Sequence, residues 1–228
     1  MPVIDDELDI LARCLPLQGL HILEAGCGAA GLARRLLQRH PGNTYIGLEV
    51  DQRQHQLNLE HTPNGMTFML APAQSLPFAA ASFDLLLMLK SLHHVPRPDM
   101  DQALTEAARV LRPGGCLYVS EPVYDGALNE IVKLYNDEGA VRAAAQHALN
   151  RALLTGAWHG EQQYRFDMPV QFDNFERFEQ RMMRPTFADH HLDEHKLARV
   201  RAAFMPHCGE DGARFVRPML VRCLRRAS

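Results

Sequence analysis

Apolar positions along this chain alternate between two spacings. Ile4, Leu8, Leu11 and Leu15 recur every three or four residues, which predicts an amphipathic helix over 4–15. The short run His21-Ile-Leu-Glu-Ala then ends in glycines and reads as a buried strand entering a tight turn. Leu32, Leu36 and Leu37 mark a helix closed by His40-Pro-Gly-Asn, and Tyr45–Val50 a second strand. A polar helix is expected over about 52–59, a third strand over Met66–Leu70, and a fourth, the most apolar, over Phe83–Leu89. Asp99 is placed to cap the next helix with Gln102 reaching back. The buried face of that helix is Leu104, Ala107, Ala108 and Leu111. Arg112-Pro-Gly-Gly reads as a turn and Cys116–Ser120 as a fifth strand.

Strands and helices alternating in this way predict an α/β fold with a doubly wound parallel sheet covered on both faces. After Glu121 the rhythm changes. Residues 122–190 hold several helical patterns, Leu128, Ile131, Val132 and Tyr135 among them, and are expected to form a lid inserted over the C-terminal edge of the sheet. A helix over 193–205 and a strand over 215–224 follow. The chain is thus read as one domain, 1–228, with a substrate-specificity lid inside it.

The 228 residues suffice for one large domain, and 46% hydrophobic with 22% charged residues is ordinary for a chain with a real core. A net charge of −3 does not fit a general nucleic-acid binder. Arg214, Arg217, Arg222, Arg225 and Arg226 crowd the end of the sequence and read as a charged strand end, with an RNA-facing patch as the other reading. The five cysteines are odd in number and far apart in sequence, which argues against a disulfide framework and a zinc ribbon. An acidic beginning and the lack of an apolar run of about 20 residues lead to the expectation of a cytoplasmic protein without a membrane partner.

The sharpest local signal is Leu23-Glu-Ala-Gly-Cys-Gly-Ala-Ala-Gly31. Glycines at a strand-to-helix turn accept unusual backbone angles and let a ligand approach the main chain. Glu49 ends the second strand, where a carboxylate suits the hydroxyls of a ribose. Gly26-x-Gly28-x-x-Gly31 also fits the dinucleotide fingerprint, a weak match alone. Glu24 beside the loop would repel a pyrophosphate and attract an amino group.

Further on come Leu76-Pro-Phe, Ser82-Phe-Asp-Leu, Leu92-His-His-Val, Ala108-Arg-Val-Leu-Arg-Pro-Gly-Gly and Val119-Ser-Glu-Pro. In order and spacing, residues 20–122 resemble the class I S-adenosylmethionine-dependent methyltransferases of the methyltransferase type 11 group, which includes quinone-biosynthesis C-methyltransferases. The resemblance implies a Rossmann-like seven-stranded sheet with the last strand antiparallel. It also implies methyl transfer from S-adenosylmethionine, with S-adenosylhomocysteine as product. Carried over by position, Glu24, Gly26, Cys27 and Gly28 flank the methionine end of the cofactor. Glu49 holds the ribose, Val50 lies against the adenine, Ala73 and Gln74 meet it from the loop after the third strand, and Lys90 faces the cofactor. Two positions depart from the family pattern. Ala30 stands where Gly is frequent, with little effect expected, and Pro72 stands where an acidic residue usually accepts from the adenine, a task left to Gln74 or a backbone carbonyl.

A general base is needed only if the acceptor must lose a proton. His93, His94 and Glu121 are the catalytic candidates, with Lys90 and Tyr124 also at strand ends. Adjacent loop side chains diverge, so one of the two histidines at most is expected to face substrate. Tyr124, Tyr135, His147, Trp158, His159 and Tyr164 are candidates to line an acceptor pocket. Asp84 is read as a structural hydrogen-bonding residue, and Cys27 and Cys116 as small packing residues. His191 and His195 have helical metal-pair spacing, but Asp193 and Glu194 look like a first helical turn, so no metal is expected. The favoured partner is a small-molecule acceptor, with the oligomeric state open. The alternatives are an RNA or protein methyltransferase, a non-catalytic cofactor-binding protein and a dinucleotide-dependent oxidoreductase.

Overall fold

A computed structural model describes residues 1–186 and 188–228; Phe187, inside the expected lid, lies outside the described residues. The elements follow in the order α1 (Leu8–Cys14), β1 (His21–Ala25), α2 (Gly31–Arg39), β2 (Thr44–Glu49), α3 (Gln52–Glu60), β3 (Met66–Leu70) and β4 (Phe83–Leu89). Next come α4 (Met100–Val110), β5 (Leu111–Pro122), α5 (Ala127–Val132), α6 (Gly139–Leu153) and β6 (Trp158–Phe172). The chain finishes with α7 (Phe175–Phe178), α8 (Glu194–Phe204), β7 (Cys208–Gly209) and β8 (Gly212–Arg226). They fall into two compact units. The larger holds Asp6–Glu121, Val141–Tyr164 and Leu220–Ser228; the smaller holds Met1–Asp5, Pro122–Ala140 and Arg165–Met219.

The strand order is β3-β2-β1-β4-β5-β8-β6, and β7 pairs with β8. The sheet is mostly parallel with antiparallel strands at its C-terminal end, the Rossmann-like arrangement expected. Among the described residues, the two-residue β7 raises the expected seven strands to eight. Because β1 lies between β2 and β4, Glu24 stands opposite both Gly47 and Leu87. Leu87 and Leu89 in turn stand opposite Tyr118 and Ser120.

In the larger unit, Leu86, Leu117 and Val119 of the sheet share one core with Ala103, Leu104 and Ala107 of α4 and with Ala145, Ala148 and Leu149 of α6. Trp158 is buried in that same core, so it is a packing residue and not a pocket wall. In the smaller unit Phe172, Phe175, Phe178, Phe204 and Phe215 form the core, mostly edge to face, an arrangement aromatic quadrupoles favour.

Several boundaries differ from expectation for identifiable reasons. Ile4 is outside α1, because its N–H donates to the carbonyl of Asp167 while the Asp167 N–H returns to Pro2. Asp99 does not cap α4 with its side chain. A 3-10 turn over Arg97–Asp99 has already coiled the chain there, and Asp99 has helical backbone angles. Leu111 starts β5, and Arg112–Gly115 form a bulge between the pairs Phe83–Leu111 and Leu85–Cys116, not a separate turn. From the bulge Arg112 donates to Asp84 Oδ1 at 2.5 Å, and Asp84 Oδ2 accepts the His21 N–H at 2.8 Å. Asp84 therefore ties three strands together, the structural role expected of it. Residues 122–190 are not uniformly helical. Phe166, Val170 and Phe172 are buried at even spacing, the period of a strand, and lie in β6.

Three of the arginines near the end of the sequence, Arg222, Arg225 and Arg226, are engaged internally, whereas Arg214 pairs with Asp211 at the surface. Buried Arg222 donates to Glu161, to Asn150 Oδ1 at 2.8 Å and to the Gln146 carbonyl at 3.3 Å. Arg225 reaches the carbonyl of Cys14 and Arg226 that of Ala108. Cys116 and Cys223 bring their sulfurs to 2.9 Å, 107 residues apart in sequence, and remain free thiols.

A buried guanidinium that loses its partners, or leaves one behind, is expensive. Arg222→Ala should lower the unfolding free energy by about 3 kcal/mol in urea titrations. The double change Arg222→Leu with Glu161→Leu should recover most of that loss, since neither charge is then stranded.

Candidate active site

β1 ends at Ala25, and the chain turns through Gly26-Cys-Gly28 before α2 begins. Gly26, Gly28 and Ala30 have φ of 74°, 50° and 53°, so the turn enters the left-handed region three times. Several of its polar groups are engaged by the end of β2. The N–H groups of Gly26 and Cys27 both donate to the Leu48 carbonyl at 2.9 Å. The Gly28 N–H donates to Glu49 Oε2 at 2.8 Å, and the Ala30 N–H donates to the Cys27 carbonyl at 2.8 Å. Glu49 Oε1 accepts from Val50 and Asp51 N–H at 2.8 and 3.0 Å. From α3, Asn58 donates to the Gly28 carbonyl at 2.8 Å, which explains a buried asparagine in an otherwise polar helix.

Two small residues make room for this joint. A Cβ on Gly47 would lie 2.9 Å from each of Cys27 Sγ, Phe68 Cδ1 and the Tyr45 hydroxyl. A Cβ on Gly26 would lie 2.7 Å from Ser91 Cβ, and Ser91 Oγ donates to the Ala25 carbonyl at 2.7 Å. Neither Gly47 nor Ser91 is signalled by motif spacing. Gly47 was visible only as a glycine inside a strand, a frequent sign of close backbone approach.

Glu24 is 2% exposed and accepts the Tyr45 hydroxyl at 2.6 Å. Burial pushes its carboxyl up to about 8. The Tyr45 hydroxyl and the Lys90 ammonium pull it down, and the carboxylates of Glu7 and Glu49 push it further up. Glu7 is itself buried and accepts the Tyr118 hydroxyl at 3.1 Å. Lys90 sits just past β4 with φ of 57°, its N–H bound to the Ser120 carbonyl at 2.7 Å. A bulky residue in that region is an uncommon and strained conformation.

Beyond Lys90 a 3-10 turn, Leu92–His94, is anchored by Glu121 from the end of β5. Glu121 Oε1 accepts from Leu92 N–H at 3.0 Å and His93 N–H at 3.4 Å, and Oε2 meets His93 Nδ1. His93 and Glu121 are buried, whereas His94 is exposed, its ring centred 4.1 Å from that of His93. On the other side of the loop Val50 is 65% exposed. Ala73 and Gln74 are half-buried in a turn where the Pro72 carbonyl accepts the Ser75 N–H at 3.2 Å.

A model of the methyltransferase domain family matches residues 23–119. A fatty-acid O-methyltransferase of Mycolicibacterium smegmatis is 39% identical over 114 residues, 48% of this chain and 40% of that protein. A phthiotriol/phenolphthiotriol dimycocerosates methyltransferase of Mycobacterium tuberculosis is 32% identical over 158 residues, 68% of this chain and 56% of that protein. The chain thus spans about half the length of these curated relatives. The solved YcgJ protein of Bacillus subtilis shares the fold, with a TM-score of 0.66 and 17% identity over 97% of this chain and 98% of that one. Residues 23–119 form a methyltransferase domain similar to those of the class I S-adenosylmethionine-dependent family.

In this methyltransferase domain Glu24, Gly26, Cys27, Gly28, Glu49, Val50, Lys90, His93, His94 and Glu121 all lie at or just past the C-terminal ends of β1, β2, β4 and β5. Ala73 and Gln74 follow β3. Cys27 packs against Asn58, with its thiol pushed up by burial. Among the acceptor-pocket candidates, Tyr124 donates to Asp137 at 2.7 Å and Tyr135 to the Met182 carbonyl at 3.2 Å. His147 and His159 are exposed. His191 precedes α8, with Asp193 as its cap, so His191 and His195 do not share a helical face.

The glycine loop yields a stability ranking. Gly47→Ala should cost more than about 2 kcal/mol through overpacking. Gly28→Ala, where a Cβ meets nothing within 4 Å, should cost only the left-handed strain of about 1–2 kcal/mol. Ala30→Gly should fall within about 0.5 kcal/mol of wild type, because relief of strain is offset by chain entropy and a lost buried methyl. Denaturant titrations of the three variants test the order.

Glu24 makes a pH-dependent contribution. In the unfolded chain its carboxyl ionises near 4.3, whereas the folded protein keeps the proton until about pH 8. Between those values the unfolded state binds fewer protons, so stability falls as pH rises. Glu24→Gln should remove this loss and be more stable than wild type at pH 7.5, by on the order of 2–4 kcal/mol, while matching it at pH 4.5. Unfolding at the two pH values tests this.

Proposed function

We propose that the protein transfers a methyl group from S-adenosylmethionine to a small-molecule acceptor. The observation that carries this reading is the state of the glycine loop. A pyrophosphate site needs loop N–H groups directed at the ligand. Here those of Gly26, Cys27, Gly28 and Ala30 are bound within the protein, and two buried carboxylates, Glu24 and Glu49, flank the turn. Such a site suits a nucleoside carrying a cationic amino acid and disfavours a dinucleotide.

The cofactor supplies an activated methyl group, so alignment provides much of the rate. Glu24 is assigned to the amino group at the methionine end, where the loop at Gly26–Gly28 gives close backbone approach. Glu49 is assigned to the ribose through the carboxylate lone pair that its three N–H donors leave over. Exposed Val50 offers an apolar surface to the adenine, with Ala73 and Gln74 opposite. Lys90 holds a positive charge near Glu24, which limits the repulsion among Glu7, Glu24 and Glu49. Acceptor choice is assigned to residues outside the matched domain, the expected lid of 122–190 among them. The fatty-acid and phthiotriol relatives support a small, partly apolar acceptor. Engagement of Arg222, Arg225 and Arg226 with internal partners disfavours the RNA reading. Five free thiols support a reducing, cytoplasmic setting. No helix among the described residues is long and apolar enough to cross a membrane.

Calorimetry with S-adenosylhomocysteine, S-adenosylmethionine and NAD tests the assignment. Binding of the first two, none of NAD, and at least tenfold weaker binding by Glu49→Ala are expected. A preference for NAD overturns it. A cationic amino group favours ionised Glu24, so binding near pH 6.5 should release a proton, and affinity should rise with pH between 6 and 7.5. Heats measured in buffers of different ionisation enthalpy detect that proton, and Glu24→Gln should abolish it.

A further inference from the structure

We infer that Cys116 and Cys223 form a redox-active dithiol, which closes to a disulfide between β5 and β8 when the surrounding glutathione becomes oxidised and then acts as a reversible staple on the larger unit. The two residues lie on neighbouring strands of the sheet, 107 positions apart in sequence, with their sulfurs at 2.9 Å. Both belong to the larger unit. Neighbouring strands run about 4.8 Å apart, inside the Cα–Cα range of about 4.4–6.8 Å that a disulfide spans. An S–S bond is about 2.05 Å long, so closure moves the sulfurs by less than about 1 Å. Rotation of the two side chains supplies that movement, and the strands stay in place. Cys116 was read from the sequence as a packing residue, because a partner on a distant strand leaves no local spacing.

A third thiol, Cys14 at the end of α1, lies beside Cys223. Its Sγ donates to the Ile10 carbonyl of its own helix at 3.6 Å. The bond is assigned to Cys116 and Cys223 because their sulfurs are already in contact.

The oxidant is a small disulfide, oxidised glutathione. One cysteine thiolate attacks a glutathione sulfur, and one reduced glutathione leaves. The second cysteine attacks the mixed disulfide, the Cys116–Cys223 bond forms, and a second glutathione leaves. The two cysteine protons end on the two glutathione thiols; the protein loses two electrons and glutathione disulfide takes up two. Contact between the sulfurs makes the second step intramolecular, which favours the closed pair over two mixed disulfides. Both sulfurs are buried, and the hydrogen bond with Cys116 together with burial pushes the Cys223 thiol up to about 12. Thiolate is therefore scarce at neutral pH, and glutathione reaches the pair only during local opening. The pair is thus a slow staple and not a fast sensor. In a reducing setting it stays open.

The test uses folded, full-length protein held in reduced or oxidised glutathione at about pH 8.5, near the ordinary cysteine pKa. Urea below the unfolding midpoint speeds local opening. After quenching, denaturation and alkylation, peptide mapping should find Cys116 joined to Cys223 in the oxidised sample, and both alkylated in the reduced one. The oxidised protein should melt about 5–15 °C higher than the reduced protein, and dithiothreitol should reverse the shift. Cys223→Ser and Cys116→Ala should each lose the oxidant-dependent shift, whatever their own stability, and Cys14→Ser should keep it. Both cysteines alkylated after oxidation, each carrying glutathione, or joined to other partners overturns the inference. So does a Cys116–Cys223 bond that leaves the melting temperature unchanged, or a shift that survives in Cys223→Ser.

Discussion

The joint between the glycine turn and the end of β2 governs this site. A turn of three left-handed residues leaves several N–H groups pointing inward, and buried N–H groups must find acceptors. Leu48 provides one carbonyl for two of them, and Glu49 provides a carboxylate that ties Gly28 to its own following backbone. That closure forces the loop close to the strand, which only Gly47 permits, with Cys27 Sγ, Phe68 and Tyr45 on three sides of it. Once the joint is made, the environment of Glu24 follows: on β1 it stands opposite Gly47 and can reach the Tyr45 hydroxyl. One hydrogen-bonding requirement therefore fixes the loop, the glycine opposite it and the environment of the acidic residue beside it.

That environment shows a trade between stability and function. A carboxyl buried against two other carboxylates and one ammonium is held in its neutral form at pH 7, which works against folding above the acidic range. The arrangement makes sense if a cation is supplied from outside, because only then does Glu24 ionise with a partner at hand. Strain at Lys90 belongs to the same pattern. A positive φ in a lysine is tolerated because its N–H is anchored to the neighbouring strand at Ser120, and its ammonium tempers the acidic cluster. Of the four non-glycine residues with positive φ among the described residues, Ala30 and Lys90 flank the expected ligand site, and none lies in the aliphatic core around Leu86 and Leu117.

Much of the fold was legible because its strands are short apolar runs bounded by turns. β1, β3 and β4 lie where the hydrophobic pattern put them, residue for residue. The pattern failed where tertiary partners outweighed it. Ile4 has a helical spacing but a strand partner in Asp167, and β6 is mostly polar on the surface, so its even-numbered apolar residues were hidden among helical repeats. The bulge at Arg112–Gly115 could not be distinguished from a turn, since both use glycine and proline alike. The approach of Cys116 to Cys223 across 107 residues has no local signature at all.

For the site, the ligand-facing residues announce themselves by type and spacing, whereas their supports do not. Glu24 and Glu49 could be picked out because carboxylates beside a glycine turn are unusual. Tyr45, Asn58, Ser91 and Glu7 are ordinary residues made important by position. The two histidines mark the boundary between these cases. As adjacent loop residues they were expected to diverge, and in burial they do, yet their rings lie side by side because Glu121 draws one of them inward. Sequence shows a pair of identical side chains; only the carboxylate from the next strand makes one a held, buried imidazole and leaves the other at the surface. The asymmetry between the two rings is thus a property of the β4–β5 pairing, not of the dipeptide.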